Sequence, residues 1–232
     1  MKEAIILAGG LGTRLRSSVP DLPKCMAPVN GKPFLDYVLH YYAEQGIEKF
    51  IFSLGYKHEI IVDYLQTNFS HLKYQYVIEE EPLGTGGAIK LACTMATEKS
   101  VLVLNGDTFF KIDVAGLSVF HQFCGADCTL SLKPLKEIER YGLVELKKDY
   151  SILSFSEKSK YENGLINGGV YALNSEKFLK ETLPEKFSFE KDYLEKLFLV
   201  RRMYGYIQDK YFIDIGIPED FKTAQTELPT NI

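Results

Sequence analysis

Ala4-Ile5-Ile6-Leu7-Ala8-Gly9-Gly10-Leu11-Gly12-Thr13-Arg14-Leu15 is the stretch that decides how the chain reads. Residues 4–7 form a short unbroken apolar run, the pattern of a strand covered on both faces. The loop that comes next leaves the end of that strand. Gly9, Gly10 and Gly12 let main-chain N–H groups close on a bulky anion. Arg14 offers a planar fork to phosphate oxygens, and Lys24, in Leu22-Pro23-Lys24, adds a compact charge. A cationic, glycine-rich loop at a strand end suits a nucleoside triphosphate. Other phosphate loops do not fit. The P-loop needs its Lys directly after the last glycine, whereas Lys24 stands well beyond Gly12. The dinucleotide fingerprint opens a helix, whereas here Arg14 takes a small-residue position and Pro20 and Pro23 prevent a helix beyond Ser17.

Working outward, apolar runs alternate with helical patterns. A helix is expected from Pro33 to Gly46, a strand over 50–54, a helix with Ile60, Ile61, Tyr64 and Leu65 on its apolar face, and strands over 74–78 and 101–104. The second half is less regular, with strands over 128–132, 142–146, 152–156, 165–173, 203–207 and 211–213. A helical pattern covers 187–199, and a last helix starts at Pro218. The expected class is α/β: a Rossmann-like mixed, mostly parallel sheet with helices on both faces. A chain of 232 residues fits a single domain spanning 1–232.

The net charge of −4 supplies no basic face for nucleic acid. No apolar run approaches the ~18 residues of a membrane span. Met1-Lys2-Glu3 runs straight into the first strand, so no signal peptide is expected. Cys25, Cys93, Cys124 and Cys128 lack zinc spacing and point to a reducing, cytoplasmic setting. His40, His58, His71 and His121 are scattered and read as surface or helix-face residues.

Two acidic positions follow strands. Asp107, in Asn105-Gly106-Asp107, reads either as turn chemistry or as a Mg²⁺ ligand at the sheet edge that Arg14 shares. Asp214, in Phe212-Ile213-Asp214-Ile215-Gly216-Ile217-Pro218, reads either as a cap or as a second metal carboxylate. A second glycine loop, Glu80-Glu81-Pro82-Leu83-Gly84-Thr85-Gly86-Gly87, is expected to open a helix near Gly87. Guanine presents two adjacent donors, so a carboxylate there, Glu80 or Glu81, is a sensible partner for it.

The run Gly9-Gly10-x-Gly12-Thr13-Arg14-Leu15 followed by Pro23-Lys24 resembles the sugar-1-phosphate nucleotidyltransferases, and the resemblance extends from Lys2 to about Thr226. It implies a nucleotide-binding half, 1–110, and a sugar-binding half, 111–232. It places Arg14, Lys24 and Asp107 at the reacting phosphates and Asp107 and Asp214 on Mg²⁺. Leu7, Ala8, Gly9, Gly10, Gly12, Thr13, Glu80, Gly84 and Thr85 fall on the nucleotide. Tyr141-Gly142, Glu157-Lys158, Asn167-Gly168 and Glu190 fall on the sugar phosphate. Carboxylates and amides suit a polyol because each makes several hydrogen bonds. The substrates implied are GTP and a sugar 1-phosphate. Val19-Pro20-Asp21-Leu22-Pro23-Lys24-Cys25-Met26 leans toward members acting on a heptose 1-phosphate. Mannose 1-phosphate with GTP, or a hexose 1-phosphate with UTP or dTTP, are the rivals within the class, and a glycosyltransferase the rival outside it. Neither nucleic acid nor membrane is an expected partner, and a homodimer is left open. Cys25 stands where many relatives have Pro, and is expected to pack rather than react.

Overall fold

The computed structural model describes residues 1–10, 15, 19–157 and 159–231. In chain order the strands and helices are β1 (Glu3–Leu7), β2 (Pro28–Val29), β3 (Lys32–Pro33), α1 (Phe34–Glu44), β4 (Lys49–Leu54), α2 (His58–Asn68), β5 (Lys73–Ile78), α3 (Gly84–Cys93), β6 (Ser100–Asn105) and β7 (Thr108–Phe110). They continue with α4 (Val114–Cys124), β8 (Cys128–Ile138), β9 (Val144–Leu146), β10 (Ile152–Phe155), β11 (Tyr161–Asn174), α5 (Ser175–Leu179), α6 (Glu195–Leu197), β12 (Met203–Ile207), β13 (Phe212–Asp214) and α7 (Pro218–Glu227).

Seven strands form the central sheet in the order β12-β8-β11-β6-β1-β4-β5. β6, β1, β4 and β5 run parallel, as do β12 and β8, while β11 runs antiparallel to both of its neighbours. Side chains alternate across this sheet. Ala4 and Ile6 of β1 face a core that includes Phe34, Leu39, Ile61, Leu117 and Ala224 from α1, α2, α4 and α7. Ile5 faces the other core, with Ile89 of α3, Phe178 of α5 and Tyr193. Both faces are therefore covered over the inner parallel strands β1, β4 and β6, which is why these read as apolar runs, whereas the edge strand β5 is largely exposed. Each side chain sealed there, such as Phe50 or Phe52 at 1% and 0% exposure, contributes about 1.5–3 kcal/mol.

Four expectations shift. Pro33 pairs with Pro28 in the β2–β3 hairpin, and the helix begins one residue later, at Phe34. α3 begins at Gly84 rather than near Gly87, because the Leu83 N–H is already anchored on the Glu79 carboxylate at 3.0 Å. β8 and β11 outrun their apolar stretches, pairing Asn163 with Lys136 and Tyr161 with Ile138 beyond the sheet proper. Residues 187–199 carry a helical pattern, but Phe189–Leu194 winds as a π-helix before α6. π-turns are frequent at functional sites. Among the described residues, no helix is long and apolar enough to cross a membrane.

Candidate active site

Parallel pairing brings the predicted phosphate groups to one edge. Leu7 of β1 lies opposite Asn105 of β6, so the first glycine loop and Asn105-Gly106-Asp107 leave the sheet side by side. A cleft of about 490 Å³ opens there, lined by Leu7-Ala8-Gly9-Gly10, Lys24, Glu79, Gly84-Thr85 and Asn105-Gly106-Asp107. Gly12, Thr13, Arg14 and Lys158 lie outside the described residues.

β13 pairs antiparallel with β7, which sets Asp214 opposite Thr108, one residue from Asp107. The Ile215 N–H donates to the Asp107 carbonyl at 2.9 Å and clamps the two segments together. Lys24 Nζ, 13% exposed in its side chain, donates to Asp107 Oδ2. Thr108 Oγ1 donates to Asp107 Oδ1 at 3.2 Å. Asp214 Oδ1 accepts from the Gly216 N–H at 2.7 Å. A Cβ placed on Gly216 would stand 2.7 Å from Asp214 Oδ1 and 3.1 Å from Lys24 Nζ, so ammonium and both carboxylates share one small volume. Two hard carboxylates with room for substrate oxygens fit Mg²⁺, which binds one or two carboxylates and completes its shell with phosphates and water. Among the described residues no set of three or more His, Cys, Asp or Glu converges to build an all-protein cage.

Cys25 is buried beside Lys24, and burial pushes its thiol up to about 12, which makes it a packing residue. Tyr141 packs edge-on against Phe212, ring centroids 6.1 Å apart, and the Arg140 guanidinium lies over the Tyr141 ring at 5.7 Å. Burial first, and then the negative charge of Asp214, push its phenol well above the ordinary range. Arg140 is tied to Asp220 of α7 at 2.6 Å.

The three carboxylates that follow β5 are placed differently. Glu80 and Glu81 do not line the cleft; Glu79 does. Its Oε1 accepts from Ser53 Oγ at 3.0 Å and its Oε2 from the Leu83 N–H at 3.0 Å. A Cβ on Gly9 would lie 2.5 Å from Glu79 Oε1, so glycine is needed there for the first loop to lie against this carboxylate. The signal was present in the sequence: Glu79 is the first residue past the strand ending at Ile78, and strand ends face the ligand edge.

Of the residues expected on the sugar phosphate, Asn167 and Glu190 are linked through Tyr171. Asn167 Nδ2 donates to the Tyr171 hydroxyl at 2.8 Å, and Tyr171 reaches Glu190 Oε1 at 3.5 Å. Glu190 Oε2 accepts from Thr85 Oγ1 at 2.8 Å and from Ser188 Oγ at 3.2 Å. Thr85 Oγ1 in turn accepts from the Phe189 N–H at 2.8 Å. The Thr85 hydroxyl, expected on the nucleotide, is thus engaged by the π-helical segment. Gly168 packs on Phe110, and Gly142 lies along Ser156. Glu157 is exposed, its carbonyl accepting from the Tyr161 hydroxyl at 3.0 Å.

A second cavity, about 580 Å³, lies at the opposite ends of the strands between Ser100, His121 and Lys177. It holds none of the predicted groups.

The model of the family described as nucleotidyl transferase matches residues 3–231. The D-glycero-α-D-manno-heptose 1-phosphate guanylyltransferase of Aneurinibacillus thermoaerophilus is 53% identical over 226 residues, covering 97% of this chain and 98% of its own. The protein of the same name from Campylobacter jejuni is 45% identical, covering 94% and 96%. The crystal structure of HddC from Yersinia pseudotuberculosis complexed with GMP-PN superimposes with a TM-score of 0.86 at 38% identity, covering 97% and 98%.

Proposed function

We infer that this chain, which belongs to the nucleotidyl transferase family, transfers GMP from GTP to D-glycero-α-D-manno-heptose 1-phosphate, giving GDP-heptose and pyrophosphate. The observation that carries the chemistry is the meeting of Lys24, Asp107 and Asp214 at the mouth of the glycine-loop cleft. The choice of heptose and guanine follows the two relatives that match nearly from end to end.

The reaction is one in-line displacement. An oxygen of the sugar phosphate attacks the α-phosphorus of GTP, the bond from that phosphorus to the bridging oxygen breaks, and the electron pair leaves with pyrophosphate. The nucleophile is already anionic, so no general base is needed. Catalysis is then positioning plus charge stabilisation. Lys24, paired with Asp107 at the cleft, is assigned to bridge the transferring group and the departing oxygens, and Arg14 is assigned to the same triphosphate. Asp107 and Asp214 would hold Mg²⁺, which when bound neutralises phosphate charge. Lys158 and the Asn167–Tyr171–Glu190 set are assigned to the sugar phosphate and its hydroxyls. Residues 1–110 then serve the nucleotide and 111–232 the sugar.

Glu79 takes the role that the sequence reading gives to Glu80. A fixed carboxylate accepts from both N1–H and N2–H₂ of guanine, whereas uracil and thymine offer one N–H between two acceptors. The buried free thiols of Cys25, Cys93 and Cys128 support a reducing, cytoplasmic setting.

Pyrophosphate release measured over GTP, UTP, dTTP and CTP against heptose, mannose and glucose 1-phosphates tests the reading. The highest kcat/KM is expected for GTP with the heptose. A preference for UTP or dTTP, or for a hexose 1-phosphate, overturns it.

A further inference from the structure

Among the described residues, Asn105 holds the one unexplained polar group at the cleft. It ends β6 and lines the cavity between Leu7 and Asp107. Its Oδ1 is buried and has no hydrogen-bond partner among those residues. The antiparallel register that pairs Val170 with Leu104 sets Gly169 beside it. Gly169 has φ +68°, and a Cβ there would lie 2.8 Å from Asn105 Nδ2. The same Gly169 donates its N–H to Asn167 Oδ1 at 3.1 Å. Asn105 therefore stands on the nucleotide-side sheet edge with its carboxamide against the sugar-side bulge of β11, where register shifts between Asn167 and Tyr171.

An amide oxygen left buried and unpaired costs stability. A leucine has nearly the same shape and would carry no such cost. The protein keeps an asparagine, which is the signature of a group held ready for a ligand at the expense of stability. The chemistry of the gap limits that ligand. An orphaned acceptor needs a donor, and phosphate oxygens in their ionised form offer none. A hydroxyl does, and it can also accept from the other end of the carboxamide, which presents either end by rotation about χ2.

We propose that Asn105 is a substrate-binding residue whose carboxamide hydrogen-bonds a hydroxyl of the acceptor sugar, holding the sugar ring against Gly169 while its phosphate reaches the α-phosphorus. This rests on the proposed sugar 1-phosphate guanylyltransferase activity. Asn105 adds a specificity contact from the nucleotide half of the chain, where the sugar-side motifs do not reach.

The test compares wild type with Asn105→Leu and Asn105→Ala in steady-state kinetics with each substrate varied separately, and in thermal melts. Wild-type turnover with a sugar 1-phosphate is measured first; its absence sinks the activity itself and not this residue. Given turnover, Asn105→Leu is expected to raise KM for the sugar 1-phosphate at least tenfold, to leave KM for GTP within about twofold, and to melt at or above the wild-type temperature. In a series of deoxy sugar 1-phosphates, one analogue should lose about tenfold in kcat/KM with wild type and less than twofold with the variant, the coupling expected of a direct contact. An unchanged sugar KM in both variants overturns the proposal. So does a rise in both KM values together with a drop of several degrees in melting temperature, which marks Asn105 as a packing residue. If Asn105→Leu does not fold, the same readings on Asn105→Ala decide.

Discussion

The group of residues proposed for the nucleotide and the group proposed for the sugar are built in different ways. The group proposed for the nucleotide is made of strand ends and the short loops that leave them: Gly9 and Gly10 after β1, Glu79 after β5, Asp107 after β6. Gly9, Gly10 and Asp107 lie within a few residues of the buried runs of β1 and β6, Glu79 follows the largely exposed edge strand β5, and parallel pairing sets the strand ends side by side. The group proposed for the sugar is made of side chains bonded to one another. Asn167, Tyr171, Glu190 and Thr85 are joined by hydrogen bonds, and the Thr85–Glu190 contact spans 105 residues of sequence. The first construction is rigid because the sheet is rigid. The second depends on every member of the set keeping its partner.

That contrast can be broken by experiment, and the largest effect is expected at the junction of the two groups. Asp107→Asn and Asp214→Asn should each lower kcat by about 10²–10³-fold, the scale of losing a preorganised charge interaction, with circular dichroism unchanged. A variant that kept near wild-type turnover at limiting Mg²⁺ would remove that aspartate from the metal site. Lys24→Ala should cost on the order of 10² in kcat and frees Asp107 of its ion-pair partner. Pyrophosphate release at saturating substrates reads this directly, and a change confined to KM would make Lys24 a binding residue only.

On the base side, Glu79→Gln should erode the preference for GTP over UTP and dTTP by about 1–3 kcal/mol, roughly 5- to 150-fold in the ratio of kcat/KM. Glu80→Gln should leave that ratio unchanged, because Glu80 is exposed and outside the cleft lining. The reverse pattern would return the base contact to Glu80. The smallest effect should come from the side-chain network. Thr85→Val removes one hydroxyl from Glu190 and should raise the sugar 1-phosphate KM by about 0.5–1.5 kcal/mol, or two- to tenfold, with little change for GTP. An equal shift in both KM values would mean that Thr85 serves the nucleotide after all.

The same contrast explains what the sequence discloses. The placing of Asp107 and Asp214 is legible because each ends or follows an apolar strand run, that of Lys24 because it closes the cationic loop as part of Pro23-Lys24, and the parallel arrangement follows from alternation. The first-half strands fall where the apolar runs stand, β4 and β5 among them. Glu79 is masked by its neighbours, because the Pro82-Leu83-Gly84-Thr85 turn chemistry stands out more than the point where β5 ends. The extra length of β8 and β11 is hidden by polar residues such as Lys136 and Asn163, which pair without being buried. The π-turn at Phe189–Leu194 leaves the apolar spacing helix-like, so periodicity alone does not reveal it. The orphaned oxygen of Asn105 cannot be read from sequence at all, since it depends on the register of β11 against β6.

The contact between α3 and the π-helical segment has a consequence for exchange between relatives. Thr85 Oγ1 meets Glu190 and the Phe189 N–H, while the Gly86 N–H donates to the Phe187 carbonyl at 3.0 Å. The seam is stitched by main chain as well as side chain, so the two halves are not interchangeable cassettes. A chimera that took residues 111–232 from a relative of different sugar choice would inherit its donors without the matching groups on α3. New acceptor sugars are therefore reached more readily by point substitutions inside an intact seam than by recombination across it.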